Sequence, residues 1–71
     1  MSLDEVERIA TVLVRKYDWR AEDFGGQGIK LTINDGAKFA SVYITKGEDV
    51  EKEVKRAIEA VDAHEYGELE G

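Results

Sequence analysis

Apolar residues recur at two different spacings along this chain, and the changes of spacing divide it into elements. Val6, Ile9, Ala10, Leu13, Val14 and Tyr17 return every three or four positions. That sets them on one face of a helix and predicts α-helix from about Leu3 to Tyr17. Ser2 with Glu5 three residues on has capping-box spacing, in which hydroxyl and carboxylate satisfy free N–H groups of the first turn. Without Ser2, Asp4 is the natural start, and Asp4 and Arg8 stand one turn apart on the wet side.

From Ile29 the spacing shortens to two. Ile29, Leu31 and Ile33 alternate with Lys30 and Thr32, the signature of a half-buried strand. Asn34-Asp35-Gly36 supplies residues tolerant of positive φ, and a β-prone run from Phe39 to Thr45 completes a hairpin. The turn length decides which side of the second strand faces inward. A two- or four-residue connection sets Ala40, Val42 and Ile44 beside Ile29, Leu31 and Ile33. A three-residue loop with a bulge at Gly36 sets Phe39, Ser41 and Tyr43 there instead. The first register makes one face wholly apolar and is the expected one.

The helical spacing returns after Thr45-Lys46-Gly47, with Val50, Val54, Ala57, Ile58 and Val61 as the buried stripe. Thr45 and Glu48 have capping-box spacing, and Glu48, Asp49 and Glu51 suit the positive end of the helix dipole. Glu48–Lys52 and Glu51–Lys55 are favourable one-turn pairs. Gly67 is the expected stop, with residues 67–71 frayed. Residues 18–28 follow neither period: Trp19 and Phe24 flank Arg20, Glu22 and Asp23, then comes Gly25-Gly26-Gln27-Gly28. A loop dipping both aromatics into the core is expected, and the alternative is a short strand from Trp19 to Phe24.

These elements define an α+β fold, a two-layer helix–β-hairpin–helix. The order is αββα, or αβββα with the extra strand, with both helices on one face of a small antiparallel sheet. Residues 1–71 form a single domain without repeat or linker. Met1-Ser2-Leu3 and Glu70-Gly71 resemble residues left by an expression vector and stay out of the functional argument.

Composition narrows the function. A chain of 71 residues buries only about 60% of the surface its unfolded form exposes, and a deep catalytic cleft would consume much of that core. A non-enzymatic protein without cofactor is expected. The chain has no Cys, which excludes disulfides and thiolate metal sites and fits a reducing compartment. No apolar run approaches the ~18 residues of a membrane span, and no signal-peptide pattern opens the chain. A cytoplasmic location, away from membranes, is therefore expected. Residues 1–47 carry seven acids and seven bases, whereas nine acids face three bases from Glu48 onward, so the net charge of −6 sits on the last third. Attraction to phosphate backbones is disfavoured overall.

In the expected register the sheet face away from the helices carries Lys30, Thr32, Phe39, Ser41 and Tyr43. With Trp19 they form the candidate interaction surface. Its anchors are Phe39 and Tyr43, with Trp19 and Phe24 as further candidates. Aromatics are enriched in protein contacts, and a free hairpin leaves edges able to pair with a second copy. The expected function is a small protein–protein interaction module, homodimeric through the sheet face or edge. The alternative is single-stranded nucleic-acid binding, with the rings stacking bases beside Lys30 and Lys38. The acidic helix and tail read as a solvated face. His64, the only His, reads as a solvated late-helix residue, since Glu68 at four positions is a single further ligand.

Two resemblances are limited. Gly25-Gly26-Gln27 resembles the Gly-Gly-Gln loop of peptide-chain release factors over three residues, but Glu22, Asp23 and Phe24 stand where basic surroundings belong. The tripeptide reads as a connector into the hairpin. With a strand at Trp19–Phe24, the element order resembles a double-stranded-RNA-binding domain. That family docks a basic helix start on phosphates, and here Gly47-Glu48-Asp49-Val50-Glu51 has the opposite charge. The likeness is one of order and does not carry the function.

Overall fold

A computed structural model describes residues 2–69. Its elements run α1 (Leu3–Leu13), β1 (Asp18–Asp23), β2 (Ile29–Asp35), β3 (Lys38–Ile44), α2 (Val50–Asp62) and β4 (Gly67–Glu68). The class is α+β. Among the described residues the sheet has four strands in the order β1-β2-β3-β4, with β4 parallel to β3 and the other pairs antiparallel. The sheet is therefore mixed and larger than the expected hairpin.

The central register is the apolar one. Ile29 stands opposite Ile44, Leu31 opposite Val42 and Ile33 opposite Ala40, and all six are buried. Asp35 pairs with Lys38, which leaves Gly36-Ala37 as a two-residue turn. Gly36 has φ +67° while Ala37 stays on the negative side, the sign pattern of a type II′ turn whose twist matches the flanking strands. These six residues form one core cluster with Val6 and Ala10 of α1, Val14 just beyond it, and Val50, Val54, Ala57, Ala60 and Val61 of α2. Strand alternation puts all six on one sheet face, so the opposite face is the one away from this core.

Residues 18–23, expected as a loop with a strand as the alternative, form β1. Trp19 stands opposite Ile33 and Ala21 opposite Leu31, so their side chains join the core face while Asp18, Arg20 and Glu22 point to the other. The alternation is hard to see in sequence because Ala21 is small and the next inward position is Asp23.

Both helices end before their expected stops. Ser2 caps α1, its Oγ accepting from the Glu5 N–H at 3.3 Å, but the helix closes at Val14 (φ −89°, ψ 101°). Tyr17 therefore lies on the connection into β1. Asp49, not Thr45, caps α2, accepting from the Lys52 N–H. Glu48 instead accepts from the backbone N–H (2.7 Å) and hydroxyl (2.6 Å) of Thr45, and these bonds hold its carboxyl below the usual range. The Glu51–Lys55 pair is formed at 3.1 Å.

Helix α2 is closed by His64, which takes φ +59°. The His64 N–H donates to the Val61 carbonyl (3.0 Å) and the Glu65 N–H to the Ala60 carbonyl (2.7 Å). This is a Schellman closure with His where Gly is usual. Because the helix stops short of Gly67, Gly67–Glu68 is free to pair with β3, and the Leu69 N–H donates to the Ser41 carbonyl at 2.8 Å. Of residues 67–71, expected to fray, Gly67 and Glu68 stand beside β3, and residues 70–71 lie outside the described residues.

Candidate functional site

The face of the sheet away from the core is built by alternation. It carries Asp18, Arg20 and Glu22 from β1, Lys30 and Thr32 from β2, and Phe39, Ser41 and Tyr43 from β3. Glu68 of β4 shares this face because it stands beside Ser41. Trp19, expected here, is on the other face, half-buried against the core, because it is an odd-numbered β1 position opposite Ile33.

Three large apolar residues remain exposed on or beside this face: Phe24 at 46%, Phe39 at 42% and Tyr43 at 41%. Phe24 follows β1 and keeps the parity of Arg20 and Glu22. That parity turns it outward, against the expectation that it dips into the core. Its ring meets that of Tyr43 at a centroid distance of 5.7 Å and a tilt of 31°, an offset aromatic arrangement. Phe39 stands at the opposite end of β3, four residues or about 13 Å from Tyr43 along the strand. Ser41, between them, is only 2% exposed. Glu68 reaches past it to Lys30, with Nζ and Oε2 3.1 Å apart. A groove of about 300 Å³ runs between this ion pair and the Phe24–Tyr43 rings.

Four of the five charges of the face are paired. Lys30 holds Glu68, and Arg20 lies 3.7 Å from Glu22. With Asp18, the face carries three carboxylates against two cations. Lys38, the other cation considered beside the rings, sits over the Tyr66 ring at 5.2 Å.

A second polar cluster ties the helix ends to the hairpin turn. The Tyr17 hydroxyl donates to Asp62 at 2.5 Å, and Lys16 approaches the same carboxylate at 3.5 Å. The hydroxyl bond pushes the Tyr17 phenol up to about 12 and holds the Asp62 carboxyl below its usual range. The Tyr66 hydroxyl donates to Asp35 at 3.1 Å and lies 2.9 Å from His64 Nδ1. Burial, then the Asp35 bond, pushes the Tyr66 hydroxyl up. Both phenols are held as donors, which ties elements together and works against their acting as bases.

Gly25-Gly26-Gln27 forms the β1–β2 turn. Gly25 and Gly26 take φ +64° and +90°, the Gly25 N–H donates to Asp23 Oδ1 at 2.9 Å, and the Phe24 N–H to the Gly28 carbonyl at 3.0 Å. The start of α2 presents Glu48, Asp49 and Glu51, the wrong sign for phosphate. Among the described residues no group of three His, Cys, Asp or Glu is placed to hold a metal ion, and no helix is long and apolar enough to cross a membrane. Comparison with protein-family models, with curated proteins and with solved structures finds no match.

Proposed function

We propose that this chain is a non-enzymatic interaction module whose outer sheet face docks a protein, either a second copy or another chain, with Phe24, Phe39 and Tyr43 as anchors. One observation carries the reading: these three rings stay more than two-fifths exposed on a face turned away from the core. Exposed aromatics on a flat surface are the residues that dominate protein contacts. The internally paired charges, Arg20–Glu22 and Lys30–Glu68, suit a surface that is to be covered, since each pair brings its own counter-charge.

Single-stranded nucleic acid draws less support. Stacking rings are present, but such binding rests on surplus positive charge, and this face carries an excess of carboxylate.

A photo-crosslinking amino acid at position 39, with a control at the exposed Arg8 of α1, tests the proposal in producing cells. A protein adduct at position 39, absent at position 8 and lost in Tyr43→Ala, supports it. Its mass reports whether the partner is a second copy. Adducts no stronger at 39 than at 8 overturn it.

A further inference from the structure

We infer that β1 is a seam for a second copy of this chain, joined edge to edge about a two-fold axis at Ala21 so that two sheets become one. This goes beyond the reading above, which concerns the outer face. Strand β1 has a neighbour on one side only. The bond from the Phe24 N–H to the Gly28 carbonyl sets the phase of the β1–β2 ladder. Asp18, Arg20 and Glu22 direct their backbone groups at β2, and Trp19, Ala21 and Asp23 direct theirs at the open edge. Carried across β2 and β3, the same phase turns the Ser41 carbonyl to the far edge, where Leu69 meets it. The β1–β2 pairing runs from Asp18–Asn34 to Asp23–Ile29 without a skipped residue. Neither a bulge nor a proline protects the edge.

An antiparallel copy centred on Ala21 matches every one of these open groups. Ala21 faces Ala21 of the second copy, and Trp19 faces its Asp23, all as hydrogen-bonded pairs. The positions between them are non-hydrogen-bonded pairs, whose side chains stand closer. There Arg20 faces Glu22 of the second copy, twice by symmetry. Charges on an edge strand ordinarily keep identical chains apart. Here the order of the two charges reverses on rotation, so the edge attracts its own antiparallel copy.

The register is specific. An axis at Arg20 sets Arg20 against Arg20 and Asp18 against Glu22, and an axis at Glu22 sets Glu22 against Glu22. An axis at Trp19 pairs Asp18 with Arg20 but overlaps only residues 18–20 of each strand. The Ala21 axis alone combines opposite signs with pairing along nearly the whole strand. It stands perpendicular to the sheet, so both copies keep their helices on the same side. Helix α1, which packs over β1 and β2, then lies beside its mate.

Sedimentation equilibrium of the full chain from micromolar to millimolar concentration tests the seam. A dimer is expected, and Arg20→Glu, which sets two carboxylates against Glu22, weakens it about tenfold. Adding Glu22→Arg restores opposite signs and recovers the dissociation constant to within about threefold. Ala21→Pro removes an N–H that β2 does not use, and it abolishes the dimer while circular dichroism keeps the monomer's fold. A chain that stays monomeric to millimolar concentration overturns the inference. So does a dimer indifferent to the Arg20 and Glu22 exchanges but lost in Phe39→Ala with Tyr43→Ala, and that result leaves the face reading standing.

Discussion

The ring of Tyr43 lies over Gly28: a Cβ built at that position would stand 2.8 Å from the ring and 2.8 Å from the Ile44 carbonyl oxygen. The glycine closes the β1–β2 turn, and its missing side chain is what lets the ring settle toward Phe24. One position thus sets both the turn and the aromatic pair of the outer face. Gly28→Ala, strained by φ +147° as well as by the two clashes, is expected to lose about 2 kcal/mol in urea unfolding. Adding Tyr43→Ala should recover only part of that loss, because the backbone oxygen cannot move away as a ring can.

His64 presents the opposite opportunity. It holds a left-handed φ of +59° that glycine adopts without penalty. His64→Gly is expected to raise stability by about 1 kcal/mol, read as a higher thermal midpoint. A lower midpoint would show that the contact from Nδ1 to Tyr66 outweighs the backbone strain.

The Tyr17–Asp62 bond predicts two titrations of opposite sense. Asp62 is held below its ordinary value in the folded chain. Its contribution to stability is present above the unfolded carboxyl value near 4 and is lost as pH falls through the lower folded one. Tyr17 is pushed up to about 12. Its contribution is present below the unfolded value near 10 and is lost as pH rises through the folded one. Tyr17→Phe should move the Asp62 carboxyl back upward in a carbon-detected NMR titration and remove the phenol at about 12 from the ultraviolet titration, leaving the raised phenol of Tyr66. An unmoved Asp62 carboxyl would mean that the bond does not persist in solution.

Leu31 is fully buried at the centre of the core face, opposite Val42. Leu31→Ala is expected to cost about 3 kcal/mol, a large share of what a chain this small holds. Far-ultraviolet circular dichroism at 37 °C should show partial unfolding. Phe39→Ala, on the exposed face, should change the urea midpoint little.

Much of the fold was legible in the order of residues. The six apolar positions from Ile29 to Ile44 named the inner face, and the Gly36 turn that sets their register was among those the spacing allowed. The stripes of α1 and α2 named helix residues, among them Val6, Ala10, Val54, Ala57 and Val61, that share one buried cluster with those six. These features are local: a period of two or of three to four is imposed by backbone geometry within a few residues and can be read without knowing what lies opposite.

Other features exist only because distant segments meet. β1 is a strand because β2 offers it a partner; its own pattern, with a small Ala21 and an inward Asp23, declares little. Gly67 and Glu68 become a strand because His64 turns the chain back toward β3, where Ser41 accepts the Leu69 N–H. The outer face, which the sequence placed on Phe39, Tyr43, Lys30, Thr32, Ser41 and Trp19, changed accordingly. Trp19 went to the core face, Ser41 was buried beside Glu68 of β4, and Phe24 joined Tyr43. Periodicity determined which residues share a side. Only tertiary pairing, through hydrogen bonds between segments far apart in sequence, decided what each side faces.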